Sequence, residues 1–184
     1  HETPLNVFEH FQPKVPSHAR NPKITFCANL HPALQASVLE QAKPSRFSML
    51  DSMNLWIDIA KDQLVEVMGR VDIVIINDGE VRMLGADEDL IEAGKSGMEL
   101  TGVAHLIVKL GEQGVIAFHP EGHIALPAYT AAELVDPTGC GDAFAGTLAA
   151  YFADGDGDLS REELHRALVS ATITASFTLE SFGT

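Results

Sequence analysis

The chain has 184 residues, of which 46% are hydrophobic and 21% charged, a composition typical of a globular domain with one sizeable core. Its 12 basic and 26 acidic side chains give a formal charge of −14, so its surface should repel nucleic acid and anionic membranes. No run approaches the roughly 18 apolar residues of a membrane helix, and two distant cysteines suggest no disulfide framework. These features predict a protein of the reducing cytoplasm that binds neither nucleic acid nor membranes.

From Ile24 onward, strand and helix patterns alternate along the chain. Short apolar runs predict strands at 24–28, 47–50, 71–76, 105–110, 115–118 and 123–126. Apolar residues at helical spacing predict helices at 31–42, 60–68, 81–84, 87–100, 141–152 and 161–178. The last two strands flank Pro120-Glu-Gly122, which is typical of a hairpin turn. The alternation of strands and helices favours a mainly parallel sheet covered on both faces.

One glycine-bearing loop, Asp136-Pro-Thr-Gly-Cys-Gly-Asp142, runs directly into a small-residue helix. Such a loop presents unpaired backbone N–H groups at the positive end of the helix dipole. The amides of Gly139, Cys140 and Gly141 could bind an anion without a cationic side chain, which suits an acidic chain. Asp142 could then accept a proton from a hydroxyl held against this anion site. A tight turn followed by a helix cap is the structural alternative.

Two other phosphate-binding motifs are excluded by the same segment. A P-loop needs Gly-Lys-Ser/Thr, and no lysine follows these glycines. A dinucleotide-binding fingerprint needs a third glycine where Phe144 stands. A dehydrogenase that binds NAD is therefore disfavoured.

The loop resembles the Asp-Thr-x-Gly-Ala-Gly-Asp signature of the PfkB, or ribokinase, family of carbohydrate kinases. Asn77-Asp-Gly-Glu80, after a predicted strand, resembles the family's Asn-x-x-Glu motif. Lys109-Leu-Gly-Glu-Gln-Gly114 resembles its Gly-x-x-Gly nucleotide segment. The three motifs occur in family order, and the resemblance extends over nearly the whole chain. It implies a ribokinase-like three-layer α/β/α fold with a mainly parallel sheet.

The resemblance also implies an activity, namely ATP-dependent phosphoryl transfer to a hydroxyl of a sugar or nucleoside. It makes Asp142 the catalytic base, and it makes the amides of Gly139, Cys140 and Gly141 the anion hole for the γ-phosphoryl group. A non-catalytic nucleotide-binding fragment that lacks the acceptor-sugar site is the alternative function.

Further site residues follow from the resemblance alone. The residues expected along the nucleotide are Asn77, Lys109, Gly111, Gly114 and Thr138. Glu80 is expected to order Mg²⁺ and its waters, because a hard cation suits a carboxylate with water ligands. Asp136, with carbonyl groups near Ser181 and Gly183, is the candidate ligand of a monovalent cation such as K⁺.

The chain departs from the family pattern in three ways. Cys140 stands where alanine is usual, which a backbone anion hole should tolerate, and Pro137 stands where threonine is usual. The family's N-terminal Gly-Gly signature has no counterpart. We therefore expect residues 1–23, with the apolar run Leu5-Asn-Val-Phe8, to lead in from a missing N-terminal and lid region. Residues 24–184 would then form a nucleotide-binding core truncated at its N-terminus, and its unpaired sheet edge would favour a homodimer.

A second loop, Asp154-Gly-Asp-Gly-Asp158, looks like a calcium-binding loop. Its sixth and twelfth positions hold Leu159 and His165 where an EF-hand needs glycine and glutamate. We expect instead an acidic interhelical loop, with Ser160-Arg-Glu-Glu163 as a capping box at the start of the last helix.

Overall fold

The structure, a computed structural model, describes residues 11–182. The strands are β1 (Ile24–Cys27), β2 (Phe47–Asp51), β3 (Ile73–Asn77), β4 (His105–Lys109), β5 (Val115–His119) and β6 (Gly122–Leu126). The helices are α1 (Pro32–Gln41), α2 (Asn54–Ile59), α3 (Lys61–Met68), α4 (Asp78–Gly85), α5 (Leu90–Thr101), α6 (Cys140–Asp154) and α7 (Arg161–Thr178). None of these helices is long and apolar enough to cross a bilayer.

The six strands form one sheet in the order β1-β2-β3-β4-β5-β6. Strands β1 to β4 are parallel, and β5 and β6 form an antiparallel hairpin at one side. The predicted mainly parallel sheet and the predicted hairpin are both confirmed. Because the first four strands are parallel, their carboxyl ends meet at the same edge of the sheet.

Side chains that alternate along β3 show how the two faces are covered. Val74 and Ile76 are buried in a core shared with α1 to α5. Ile73 and Ile75 are buried in a second core shared with α6 and α7. A continuous apolar strand is what burial on both faces requires. The predicted three-layer arrangement is therefore confirmed.

The main difference from the predicted elements lies between β2 and α3. The sequence pattern left residues 52–59 without a predicted element, and the structure has the short helix α2 there. Its Trp56 and Ile57 face the core, but a six-residue helix is too short for a clear apolar period.

Residues 11–23 contact the core through backbone groups. The Val15 amide donates to the Gln41 side chain at 3.0 Å, and the Lys43 amide donates to the Arg20 carbonyl at 2.8 Å. A domain boundary after residue 23 stays a prediction. The apolar run Leu5–Phe8 and Gly183 lie outside the described residues.

Candidate active site

Three polar side chains lie at the carboxyl ends of adjacent parallel strands. Asp51 ends β2, Asn77 ends β3 and Lys109 ends β4, with Asn77 and Lys109 paired in register. The segment Asp136–Asp142, called the site loop below, reaches the same edge. A Cβ added to Gly141 would lie 3.4 Å from the Lys109 ammonium nitrogen. This edge of an α/β sheet is where ligands usually bind.

The site loop enters α6 through Gly139, whose φ is 85°. Residues with a Cβ rarely adopt this left-handed conformation, so glycine is favoured here. The Cys140 amide donates to the Pro137 carbonyl at 3.2 Å. The amides of Gly139, Gly141 and Asp142 donate to no group among residues 11–182. Three amides at this helix start are therefore open to an anion. They are those of Gly139, Gly141 and Asp142, so the prediction of an open Cys140 amide was wrong.

The site loop is attached to the end of α7. The amides of Val135 and Asp136 both donate to the Leu179 carbonyl, at 2.8 and 3.2 Å. The Asp136 side chain accepts from the Thr138 amide at 3.0 Å, and this hydrogen bond lowers the pKa of Asp136. Asp136 thus lies beside the C-terminal segment as the resemblance implied. Its role toward a monovalent cation stays a prediction.

Asn77 and Glu80 form a reciprocal capping box at the start of α4. The Glu80 amide donates to Asn77 Oδ1, while the two carboxylate oxygens of Glu80 accept from the Asn77 amide and side chain, each at 2.8 Å. Glu80 is 4% exposed, and burial raises its pKa. Glu80 therefore caps α4, and it does so at the edge of the sheet where the nucleotide is expected.

A caged metal ion does not fit this edge. No group of three or more His, Cys, Asp or Glu side chains in the described part of the chain could hold a metal. A hydrated Mg²⁺ that arrives with nucleotide phosphates does fit, since Mg²⁺ keeps several waters and uses one or two carboxylates. Glu80 could contact such waters, and its role in metal binding stays a prediction.

Lys109 forms an ion pair with Asp51. Its ammonium nitrogen lies 3.1 Å from Asp51 Oδ2 and 3.5 Å from Oδ1, and Oδ1 also accepts from the Ser52 amide at 2.8 Å. Asp51 is 7% exposed. Burial raises the pKa of Asp51 and the charge of Asp142 adds to this, while Lys109 opposes it.

Asp51 was not among the predicted site residues. Its position could have pointed to a site residue, because Asp51 is a charged residue directly after the predicted apolar strand 47–50. No motif drew attention to it, and its partner lies 58 residues away along the chain.

Gly111 and Gly114 bound the short turn between β4 and β5, with φ of 58° and 104°. A Cβ on Gly114 would lie 2.0 Å from the Leu126 carbonyl oxygen, so the backbone of β6 requires glycine there. A Cβ on Gly111 would have no atom within 4 Å. Gly111 thus leaves open space at the carboxyl edge, and the nucleotide contacts of both glycines stay predictions.

The second glycine-rich loop, residues 154–160, is called the acidic loop below, and its predicted interhelical place is confirmed. Arg46 donates to the carbonyls of Gly155 and Gly157. Ser160 caps α7 by accepting from the Glu163 amide at 3.4 Å. The prediction of a full capping box was wrong. The Glu163 carboxylate accepts from the Tyr151 hydroxyl and from Arg166 instead of from the Ser160 amide.

A profile of the pfkB family carbohydrate kinases matches residues 17–184. The chain belongs to this family. It is 30% identical over 147 residues to the cytidine kinase of Thermococcus kodakarensis, a match that covers 77% of this chain and 51% of that protein. It is 32% identical over 118 residues to the 2-dehydro-3-deoxygluconokinase of Thermoproteus tenax, covering 62% and 36%. The chain thus spans about half, or less, of the length of these relatives.

Solved structures of the family share this fold. The nucleoside kinase of Methanocaldococcus jannaschii superposes with a TM-score of 0.70 at 19% identity, covering 97% of this chain and 55% of that one. The ribokinase of Thermotoga maritima gives a TM-score of 0.69 at 19% identity, covering 88% and 51%. The predicted family and the predicted ribokinase-like fold are both confirmed.

Proposed function

We propose that this chain carries the nucleotide-binding part of a kinase that transfers the γ-phosphoryl group of ATP to a hydroxyl of a sugar or nucleoside. One observation supports this most directly: the open amides of the site loop lie beside the exposed carboxylate of Asp142 at the carboxyl edge of the sheet. Relatives with different acceptors, including a cytidine kinase and a 2-dehydro-3-deoxygluconokinase, support the reaction class without naming one acceptor.

In this proposal Asp142 is the catalytic base. Its side chain is exposed at the first turn of α6 and accepts no hydrogen bond from a side chain of the described residues. It is therefore available to take the proton of an acceptor hydroxyl. The open amides of Gly139, Gly141 and Asp142 would stabilise the negative charge on the transferring phosphoryl group, whereas the predicted Cys140 amide is bonded to the Pro137 carbonyl.

The nucleotide would lie along the carboxyl edge and contact Asn77, Lys109, Gly111, Gly114 and Thr138. Its phosphates would bring Mg²⁺, whose waters Glu80 would order, and Asp136 would bind K⁺ with nearby carbonyl groups. We place the protein in the cytoplasm. We also propose a homodimer that pairs through β1, one of the two outer strands of the sheet.

The first test is calorimetric titration of the chain with Mg-ATP in a potassium buffer. Gly141→Pro removes one open amide, and proline is tolerated in the first turn of a helix. Glu162→Pro is the matched control, because Glu162 is the second residue of α7 as Gly141 is of α6. We expect saturable binding by the wild type and by Glu162→Pro, and loss of binding by Gly141→Pro.

The acceptor is tested next, by measuring phosphoryl transfer to a panel of sugars and nucleosides. Transfer to one of them supports the kinase proposal, whereas binding without transfer supports the non-catalytic nucleotide-binding function. Absence of Mg-ATP binding by a folded wild-type chain contradicts both.

A further inference from the structure

Asp51 neutralises the Lys109 ammonium group, which lies beside the site loop and would otherwise be available to a phosphate. Its carboxylate holds the Lys109 nitrogen at 3.1 Å, and that nitrogen lies against Gly141. Asp51 is fixed in place because Oδ1 accepts from the Ser52 amide and the residue is 7% exposed. The Lys109 charge beside the open amides is thus already paired inside the protein.

The charges around this pair are mainly negative. Asp51 interacts electrostatically with Lys109 from β4 and Asp142 from α6, and Glu80 from α4 interacts with both Lys109 and Asp51. Three carboxylates therefore stand against one ammonium group. Metal-free ATP carries about four negative charges near neutral pH, while its magnesium complex carries about two, so repulsion by this cluster is about twice as large for the metal-free form.

We propose that Asp51 is a specificity-determining residue that admits the nucleotide as its magnesium complex and rejects the metal-free polyphosphate. The inference rests on the proposed function, since it requires ATP phosphates at the site loop. Because Asp51 pairs Lys109 in advance, the negative charge of the ligand must be balanced by a cation that the ligand itself brings.

Two effects of Asp51 oppose each other. Asp51 orients Lys109, which favours a phosphate contact, and it adds a negative charge, which disfavours one. The Lys109 side chain is 23% exposed and lies at the carboxyl edge beside Gly141, so its ammonium group stays within reach of a bound phosphate when the Asp51 charge is removed. The charge effect therefore dominates, and removal of the carboxylate should tighten binding of metal-free ATP.

The experiment measures the dissociation constant of ATP with EDTA and with excess Mg²⁺, at about pH 8, where Asp51 paired with lysine is ionised. In Asp51→Asn we expect metal-free ATP to bind about tenfold tighter and Mg-ATP about threefold tighter. The preference for the magnesium complex then falls about threefold. Glu162→Gln, which removes a carboxylate from an ion pair with Arg166 on α7, is the matched charge control and should change neither constant.

The double variant Asp51→Asn with Lys109→Met removes one negative and one positive charge together. It should restore a preference close to that of the wild type, which a purely structural role of Asp51 would not predict. If Asp51→Asn unfolds, as judged by circular dichroism, Asp51→Ser must show the same shift in preference.

Each outcome has one meaning. The role of Asp51 is overturned if the wild type binds Mg-ATP but the dissociation constant of metal-free ATP is the same in the wild type and in Asp51→Asn. That result leaves the proposed function intact. A folded wild type that binds neither form of ATP overturns the proposed function and the role of Asp51 with it.

Discussion

Two loops of similar composition flank α6, and they differ in how their polar groups are used. The site loop precedes the helix and the acidic loop follows it, and both combine aspartates with glycines. In the acidic loop, Arg46 donates to two carbonyls and Asp158 accepts from the Ser160 amide at 2.9 Å. In the site loop, the amides of Gly139 and Gly141 have no partner among the described residues.

Composition alone does not make a ligand site. Most polar groups of a folded protein are hydrogen-bonded internally, and groups without a partner need an explanation. In the acidic loop, two carbonyls accept from Arg46 and the Asp158 carboxylate accepts from the Ser160 amide. The site loop keeps the amides of Gly139 and Gly141 open beside the carboxylate of Asp142 at the carboxyl edge of the sheet, so the proposed function predicts that only the site loop responds to nucleotide.

The largest expected effect is on catalysis at the site loop. Asp142→Asn should lower the rate of phosphoryl transfer about 10²–10⁴-fold, because the amide cannot accept the acceptor's proton. Binding of Mg-ATP should stay within a few-fold, as measured by calorimetry beside a coupled assay of ADP release. The same change in the acidic loop, Asp156→Asn, should leave transfer unchanged, and an equal loss there would contradict the distinction between the loops.

The next effect is on stability at the acidic loop. Arg46→Met should lower the free energy of unfolding by about 1–3 kcal/mol, because two carbonyls lose a charged donor. Urea denaturation measures this change. Arg70→Met, which breaks an exposed pair with Glu40 at 3.7 Å, should cost less than about 0.5 kcal/mol. A large loss of Mg-ATP affinity in a folded Arg46→Met variant would argue against a purely structural role for this loop.

A smaller effect is expected at the helix cap that closes the acidic loop. Ser160→Ala should lower the free energy of unfolding by about 1 kcal/mol, because the Glu163 amide loses its acceptor. Ser170→Ala on the exposed part of the same helix should be close to neutral, since that hydroxyl only bonds back to the Arg166 carbonyl. Equal effects of the two substitutions would show that the cap is not formed in solution.

The smallest expected effect is on the pH dependence of stability, and it arises at His105, close to the acidic loop. Burial lowers the pKa of His105, and the charge of His119 lowers it further, while hydrogen bonding to the Asp72 carbonyl opposes this. His119 in turn bonds to the Leu159 carbonyl at 3.0 Å.

Because the folded state resists protonation of His105, the unfolded state binds more protons between the lowered pKa and about 6.5. The contribution of neutral His105 to the free energy of unfolding is therefore complete above about pH 6.5 and is lost as the pH falls toward the pKa of the folded state. Thermal unfolding across this range should show the loss in the wild type. A wild-type profile that coincides with that of His105→Asn would refute the role of this histidine.

Much of the fold could be predicted from local patterns. The run of β-branched residues in β3 and the helical spacing of apolar residues gave strands and helices in the observed order, because burial imposes a period on consecutive residues. The helix α2 was missed because six residues carry too little periodicity. The predicted bond from the Ser160 amide to the Glu163 carboxylate was wrong because Tyr151, from another helix, donates to that carboxylate.

The sequence by itself determined the family and the local structure of the site loop. A glycine-bearing loop, a helix start and a carboxylate in its first turn depend on a few consecutive residues, and so they can be recognised without a fold. The predicted roles of Glu80, Lys109 and Asp136 rest on the same kind of local motif and await measurement.

Only the tertiary structure decided which polar groups find partners. Asp51 meets Lys109 across 58 residues of sequence, and Arg46 reaches the carbonyl of Gly155 across 109. These contacts depend on the register of the sheet and on the placement of α6, which no short segment encodes. The difference between a loop anchored by a distant arginine and a loop whose amides stay open therefore arises from contacts between distant parts of the chain.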